Sequence, residues 1–139
     1  MMAFRKKIER PKNYLGNMLY RFDDIYNKDL KSIIKDISSK RRLNPKRTDF
    51  ILNDAFKNLD RILEDISREN FKTDYRGDKI TDIIIEMINK LKKYLMRIKE
   101  YAYDANSFEI REEANFLDFV GQTRNLLKKK MKEIESDYL

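Results

Sequence analysis

Five carboxylates stand where acids could do chemistry: the doublets Asp23-Asp24 and Glu112-Glu113, and Asp36. A converging pair would serve as general acid and base, or hold two metal ions. Adjacent residues on a helix point about 100° apart, so neither doublet aims at a single reacting atom. The chain has no His and no Cys. That removes the commonest general base, the commonest metal ligand, thiolate nucleophiles and thiolate-held metals. The di-iron helical bundles need a Glu-x-x-His pair, which is absent here. Neither a Gly-rich phosphate loop nor a nucleophile elbow occurs. The reading is therefore a non-enzymatic protein that needs no cofactor.

Cations carry more information. The chain holds 31 Lys and Arg against 24 Asp and Glu, a net charge of +7. Five of them, Lys40, Arg41, Arg42, Lys46 and Arg47, fall within eight residues around Pro45. They repel one another, and a turn needs no charge, so the cluster points to phosphate contacts. A second basic run, Lys128, Lys129, Lys130 and Lys132, has a simpler explanation as well. Lysines near a helix C-terminus offset its dipole, and three successive residues cannot all face one ligand. Tyr14, Tyr75, Tyr94, Tyr101 and Tyr103 are candidates to stack on unpaired bases, although tyrosine at helical spacing more often packs a core or its rim.

These residues must be positioned by helices. Gly occurs three times and Pro twice, against abundant Leu, Ile, Lys and Glu. Apolar residues then recur in steps of three and four. Leu15, Met18, Leu19, Phe22, Ile25, Tyr26, Leu30, Ile33, Ile34 and Ile37 mark a first helix over about 13–40. The stripe crosses Asn27-Lys28-Asp29 without a phase slip; a break near Asn27, giving five helices, is the alternative. Asn44 is the expected N-cap and Pro45 the first turn of a second helix over about 46–70, with Leu52, Ala55, Phe56, Leu59, Ile62, Leu63 and Ile66 inward. The stretch FKTDYRGDK, with Gly77, reads as a loop. A third helix spans about 79–104 (Ile80, Ile84, Met87, Ile88, Leu91, Leu95, Ile98, Ala102). A fourth spans about 107–136 (Ile110, Ala114, Leu117, Val120, Leu127, Met131, Ile134), capped at Asn106 or Ser107.

Short connections between long amphipathic helices favour antiparallel neighbours. The expected fold is all-α, an up-down-up-down four-helix bundle over 13–139, preceded by a basic arm at 1–12. One end then collects Arg5, Lys6, Lys7, Arg10 and Lys12 with Lys72, Arg76, Lys79 and the Lys128 run. The other receives the Lys40–Arg47 cluster together with the acidic stretch around Asp104 and Glu109. No apolar run is long enough to span a bilayer, and the basic start lacks an apolar stretch behind it, so a cytoplasmic address is expected.

Residues 43–66, LNPKRTDFILNDAFKNLDRILEDI, place Pro45, Lys46, Arg47 and Phe50 at a basic and aromatic helix start. With 87–98, MINKLKKYLMRI, and 117–128, LDFVGQTRNLLK, this resembles the four-helix-bundle family of the accessory variability proteins of diversity-generating retroelements and the ribosomal-RNA intervening-sequence proteins. The tryptophan common near the end of that family's last helix is missing, and the 71–79 loop is longer. The resemblance implies a ring-forming homo-oligomer, a pentamer, that binds a reverse transcriptase and its template RNA or DNA. It carries nucleic-acid contacts to Lys46, Arg47, Lys92, Lys93, Arg97, Arg124 and Lys128, and makes Gly121 a residue of close helix packing.

The functional expectation is a nucleic-acid-binding accessory protein assisting a polymerase. The alternatives are a protein-interaction module, such as a phage-encoded inhibitor or adaptor, and a small helical subunit of a nucleic-acid-guided defence complex.

Overall fold

The computed structural model describes residues 14–69, 75–103 and 110–138. Within them every regular element is helical: α1 (Tyr14–Asp24), a π turn (Ile25–Asp29), α2 (Lys31–Ser38), α3 (Pro45–Glu69), α4 (Tyr75–Tyr103) and α5 (Ile110–Tyr138). The basic arm at 1–12 lies outside the described residues, as do the expected caps at Asn106 and Ser107.

The single first helix expected over 13–40 is instead α1, the π turn and α2. The Leu30 amide donates to the Ile25 carbonyl at 2.8 Å, a bond that spans five residues. This wider turn accommodates one extra residue. It buries Ile25 and Tyr26 together and still delivers Leu30, Ile33 and Ile37 to the core. Because the apolar face is continuous on both sides, the interruption leaves no break in the stripe.

α2 ends in a Schellman motif. The Arg41 amide donates to the Asp36 carbonyl at 2.8 Å and the Lys40 amide to the Ile37 carbonyl at 3.1 Å. The motif needs a left-handed residue, and here Lys40 takes it with φ 57°. Asn44 then caps α3: its Oδ1 accepts from the Arg47 amide at 2.9 Å, as the sequence predicts. α3 matches its expected bounds. α4 starts earlier than predicted, at Tyr75, and so takes in Gly77 and half of the expected loop. A glycine near a helix start costs only about 1 kcal/mol, which packing further along the helix overrides.

Consecutive long elements run antiparallel, as their cross-contacts show. Arg21 meets Asp65, Asp29 meets Asn58, and Asp36 meets Arg47. Asp49 meets Tyr103 and Asp60 meets Lys92. Glu112 meets Arg97, and Thr123 meets Met87. α5 returns against α1 and α2. The shared core is Leu15, Met18, Leu19 and Phe22 from α1; Leu52, Ala55, Leu59 and Ile62 from α3; Ile84, Ile88, Leu91, Leu95 and Ile98 from α4; and Phe116, Val120 and Leu127 from α5. α5 departs from its predicted face. Phe116, Val120, Thr123 and Leu127 form the buried seam, Leu117 sits at its edge, and Ala114 is exposed.

Candidate nucleic-acid interface

The α2–α3 turn is built to present charge. Leu43 and Thr48 point inward and are buried, and they anchor the turn to the core. The Schellman motif and the Asn44 cap fix the backbone between them. Lys40, Arg41, Arg42, Lys46 and Arg47 are all exposed as a result. Among the described residues Arg47 is the one of the five with an ion pair, to Asp36 Oδ2 at 3.8 Å. The other four have no ion pair among the described residues. The C-terminus of α4 joins this end of the molecule, because the Tyr103 hydroxyl donates to Asp49 Oδ2 at 2.5 Å. That bond, more than burial, raises the Tyr103 pKa. Burial chiefly raises that of Tyr101, with Glu113 adding to the rise and Arg42 opposing it.

Three cations carried over by the resemblance are committed within the fold. Lys92 Nζ lies 2.7 Å from Asp60 Oδ1, tying α4 to α3. Arg97 donates to Glu112 at 3.0 and 3.1 Å and to Glu100 at 2.6 Å. The Glu112 carboxylate is the main reason its guanidinium holds its proton more tightly than usual. Arg124 closes a network: its Nε donates to Asp23 Oδ1 at 3.3 Å, its Nη2 to Asn27 Oδ1, and Asn27 Nδ2 to Asp23 Oδ2 at 3.0 Å. This network clamps α5 to the junction of α1 and the π turn. Lys93 and Lys128 are exposed, on α4 and on α5. Arg5, Lys6, Lys7 and Arg10 lie outside the described residues.

Gly121 does not serve close packing. It is exposed, and a Cβ there would meet nothing within 4 Å. The face of α5 that packs is set by Phe116, Val120 and Leu127, and position 121 falls off it. Tyr94 is no free platform either, since its ring packs on Phe116 and Phe119 with centroids 5.8 and 5.0 Å apart. The side chains of Tyr14 and Tyr75 are outside the described set.

The carboxylates that invited an acid/base reading are dispersed. Asp23 serves Arg124, Asp24 faces Lys28 at 3.7 Å, Asp36 faces Arg47, and Glu112 holds Arg97. No cluster of three metal-ligating side chains occurs among the described residues. None of the described helices is long and apolar enough to cross a membrane.

Two features escaped the sequence reading. The first is the exposure of Phe50, named above only as part of a basic and aromatic helix start: it is exposed by 71% and lies one turn beyond the cation cluster. Its phase held the signal: it sits two residues before Leu52, on the opposite side of α3 from the buried stripe. The second is a groove of about 610 Å³ between α4 and α5, floored by Tyr94 and Phe119 and walled by Lys90, Lys93, Arg97 and Asp118. Pairwise spacing within one helix carries no information about a gap between two.

Comparison with known proteins gave no match to a family model, to a curated protein or to a solved structure.

Proposed function

We propose that this protein is a non-enzymatic accessory subunit that binds RNA or DNA through phosphate contacts at the α2–α3 turn. The observation that carries the reading is the set Lys40, Arg41, Arg42 and Lys46, exposed on a capped turn and without an ion pair among the described residues. Like charges this close raise the energy of the folded chain, and a polyanion relieves that repulsion by exchanging its counterions for protein cations. In this reading α1, the π turn and α2 form one interrupted member of a four-membered antiparallel bundle. The basic residues of 1–12 add to the positive charge such contacts can draw on. A cytoplasmic, ring-forming assembly beside a reverse transcriptase is the form the family resemblance supports.

The test is a titration of labelled RNA and DNA oligonucleotides across a salt series. Four phosphate contacts give log K against log[salt] a slope of about −3 on single strands. No measurable affinity at low salt removes the proposal.

A second reading is favoured by the α4/α5 groove. Its aromatic floor and mixed-charge walls suit a protein partner better than a polyanion, because Glu86, Glu100 and Glu112 already offset Lys90 and Arg97. A partner that survives nuclease treatment in a pull-down, and is lost on Phe119→Glu, supports this reading.

A further inference from the structure

Three of the four large apolar side chains exposed among the described residues, Phe50, Met96 and Tyr103, lie on one face of the α3/α4 pair. The register follows from two cross-contacts, Tyr103 with Asp49 and Lys92 with Asp60. It sets Met96 opposite Phe56 and Lys99 opposite Asn53. Along α3 the same outward stripe runs from Lys46 through Phe50 to Lys57, a distance of about 16 Å. Along α4 it runs from Tyr103 through Lys99 and Met96 to Lys92. Two exposed rings and Met96 therefore lie among cations on a face that begins at the α2–α3 turn.

Resting on the nucleic-acid reading above, we infer that this face takes an unpaired strand of RNA or DNA, with Phe50 and Tyr103 as platforms for successive bases. Phosphates enter at Arg41, Arg42 and Lys46 and continue past Lys57 and Lys99. A duplex hides its base faces and gains nothing from exposed rings, whereas every unpaired base offers one. The Tyr103 ring is pre-positioned, because its hydroxyl is bonded to Asp49. Charge also selects the occupant. Lys46, Lys57 and Lys99 have no ion pair among the described residues, whereas Lys92 is held by Asp60 and Arg47 faces Asp36 on α2. A second copy meeting this face with its own would set positive charge against positive charge.

The experiment measures binding of the full chain to a labelled oligonucleotide of about 16 nucleotides, single-stranded or annealed to its complement, at several salt concentrations. The variants are Phe50→Ala, Phe50→Trp and Tyr103→Leu, each checked for fold by circular dichroism, with Arg41→Ala for comparison. Phe50 is largely exposed, so its removal leaves the core intact. The expected result is tighter binding of the single strand than of the duplex. Phe50→Ala then weakens the single strand on the order of ten-fold with an unchanged salt slope, and Phe50→Trp restores it. Arg41→Ala instead lowers the slope for both forms. Salt-dependent binding that ignores Phe50→Ala and Tyr103→Leu, or favours the duplex, overturns the stacking face and leaves the phosphate reading standing. So does a Phe50→Ala variant that breaks an oligomer without losing oligonucleotide affinity, which assigns the face to a second copy. Absence of any binding at low salt overturns both.

Discussion

Lys40 is held in a conformation that an L-residue adopts at a cost. Its φ of 57° is what the Schellman motif at the end of α2 demands, and glycine meets that demand without the Cβ clash. Lys40→Gly is expected to raise stability by about 1 kcal/mol in chemical denaturation, although glycine's freedom in the unfolded chain takes back part of the gain. A lower midpoint places the charge of Lys40, rather than its backbone, in the stability of the turn. Tyr26 presents the opposite case, a polar atom at a cost in the core. Its hydroxyl is fully buried beside Thr123 without a formed hydrogen bond, and the Thr123 hydroxyl itself donates to Met87 Sδ at 3.8 Å. Burial pushes its pKa well up, and Thr123 and Arg124 only partly counter that. The phenol thus stays protonated in the folded state at pH values where the unfolded chain has already lost the proton. Stability is then intact below the unfolded value of about 10 and falls by about 1.4 kcal/mol per pH unit above it. Tyr26→Phe should flatten that alkaline decline in urea melts; an unchanged slope assigns the decline to other groups.

The interruption between α1 and α2 is where the elements are most closely tied. Leu30 is completely buried behind the π turn, and the Arg124–Asp23–Asn27 network clasps the outside of the same junction. The stability of this region therefore depends on α5. Removing Arg124 leaves Asp23, whose side chain is only 15% exposed, without its cation. Arg124→Met is expected to cost about 1 kcal/mol once solvent screening of the partly exposed pair is allowed for. Its effect on oligonucleotide binding should be small beside that of Arg41→Ala; the reverse ranking would make Arg124 a contact residue. Gly121, on the same helix, works the other way. It sits mid-helix with open space where a Cβ would go. Gly121→Ala should stabilise the protein by about 0.5–1 kcal/mol, read as a shift in Tm. A drop in Tm instead reveals a partner packed on that surface.

For the molecule as a whole, the relevant quantity is where charge remains uncompensated. Net charge alone does not distinguish a solvated helical surface from a binding face. Ion pairs do: α4 and α5 offset much of their own charge, whereas the α2–α3 turn does not. The double variant Arg41→Ala/Arg42→Ala should therefore reduce the salt slope on single strands by about 1.4, while Lys90→Ala leaves it unchanged. Equal effects from the two would mean that binding follows net charge rather than this turn.

Much of the architecture was legible because helical periodicity is a local property. The stripes of α3 and α4 named their buried residues almost without error, since each buries one face with a regular rise. Asn44-Pro45 announced the start of α3, because a side-chain cap and a fixed φ act within a single turn. The Lys40–Arg47 cluster was visible as composition. Other features depended on neighbours. The π turn left no trace in the stripe, because its extra residue is absorbed between two apolar positions that both pack. The face of α5 was misplaced onto Ala114, because its seam at Phe116 is selected by where α1 and α4 lie. The partners of Arg97 and Arg124 come from other helices, and only the packed structure could show which cations are already satisfied and which still face outward. By itself, then, the sequence determined the helical segments, the cap at Asn44 and the position of the charge. The tertiary structure decided which of that charge, and which aromatic rings beside it, are left for a partner, because compensation and exposure are set by helices distant in the chain.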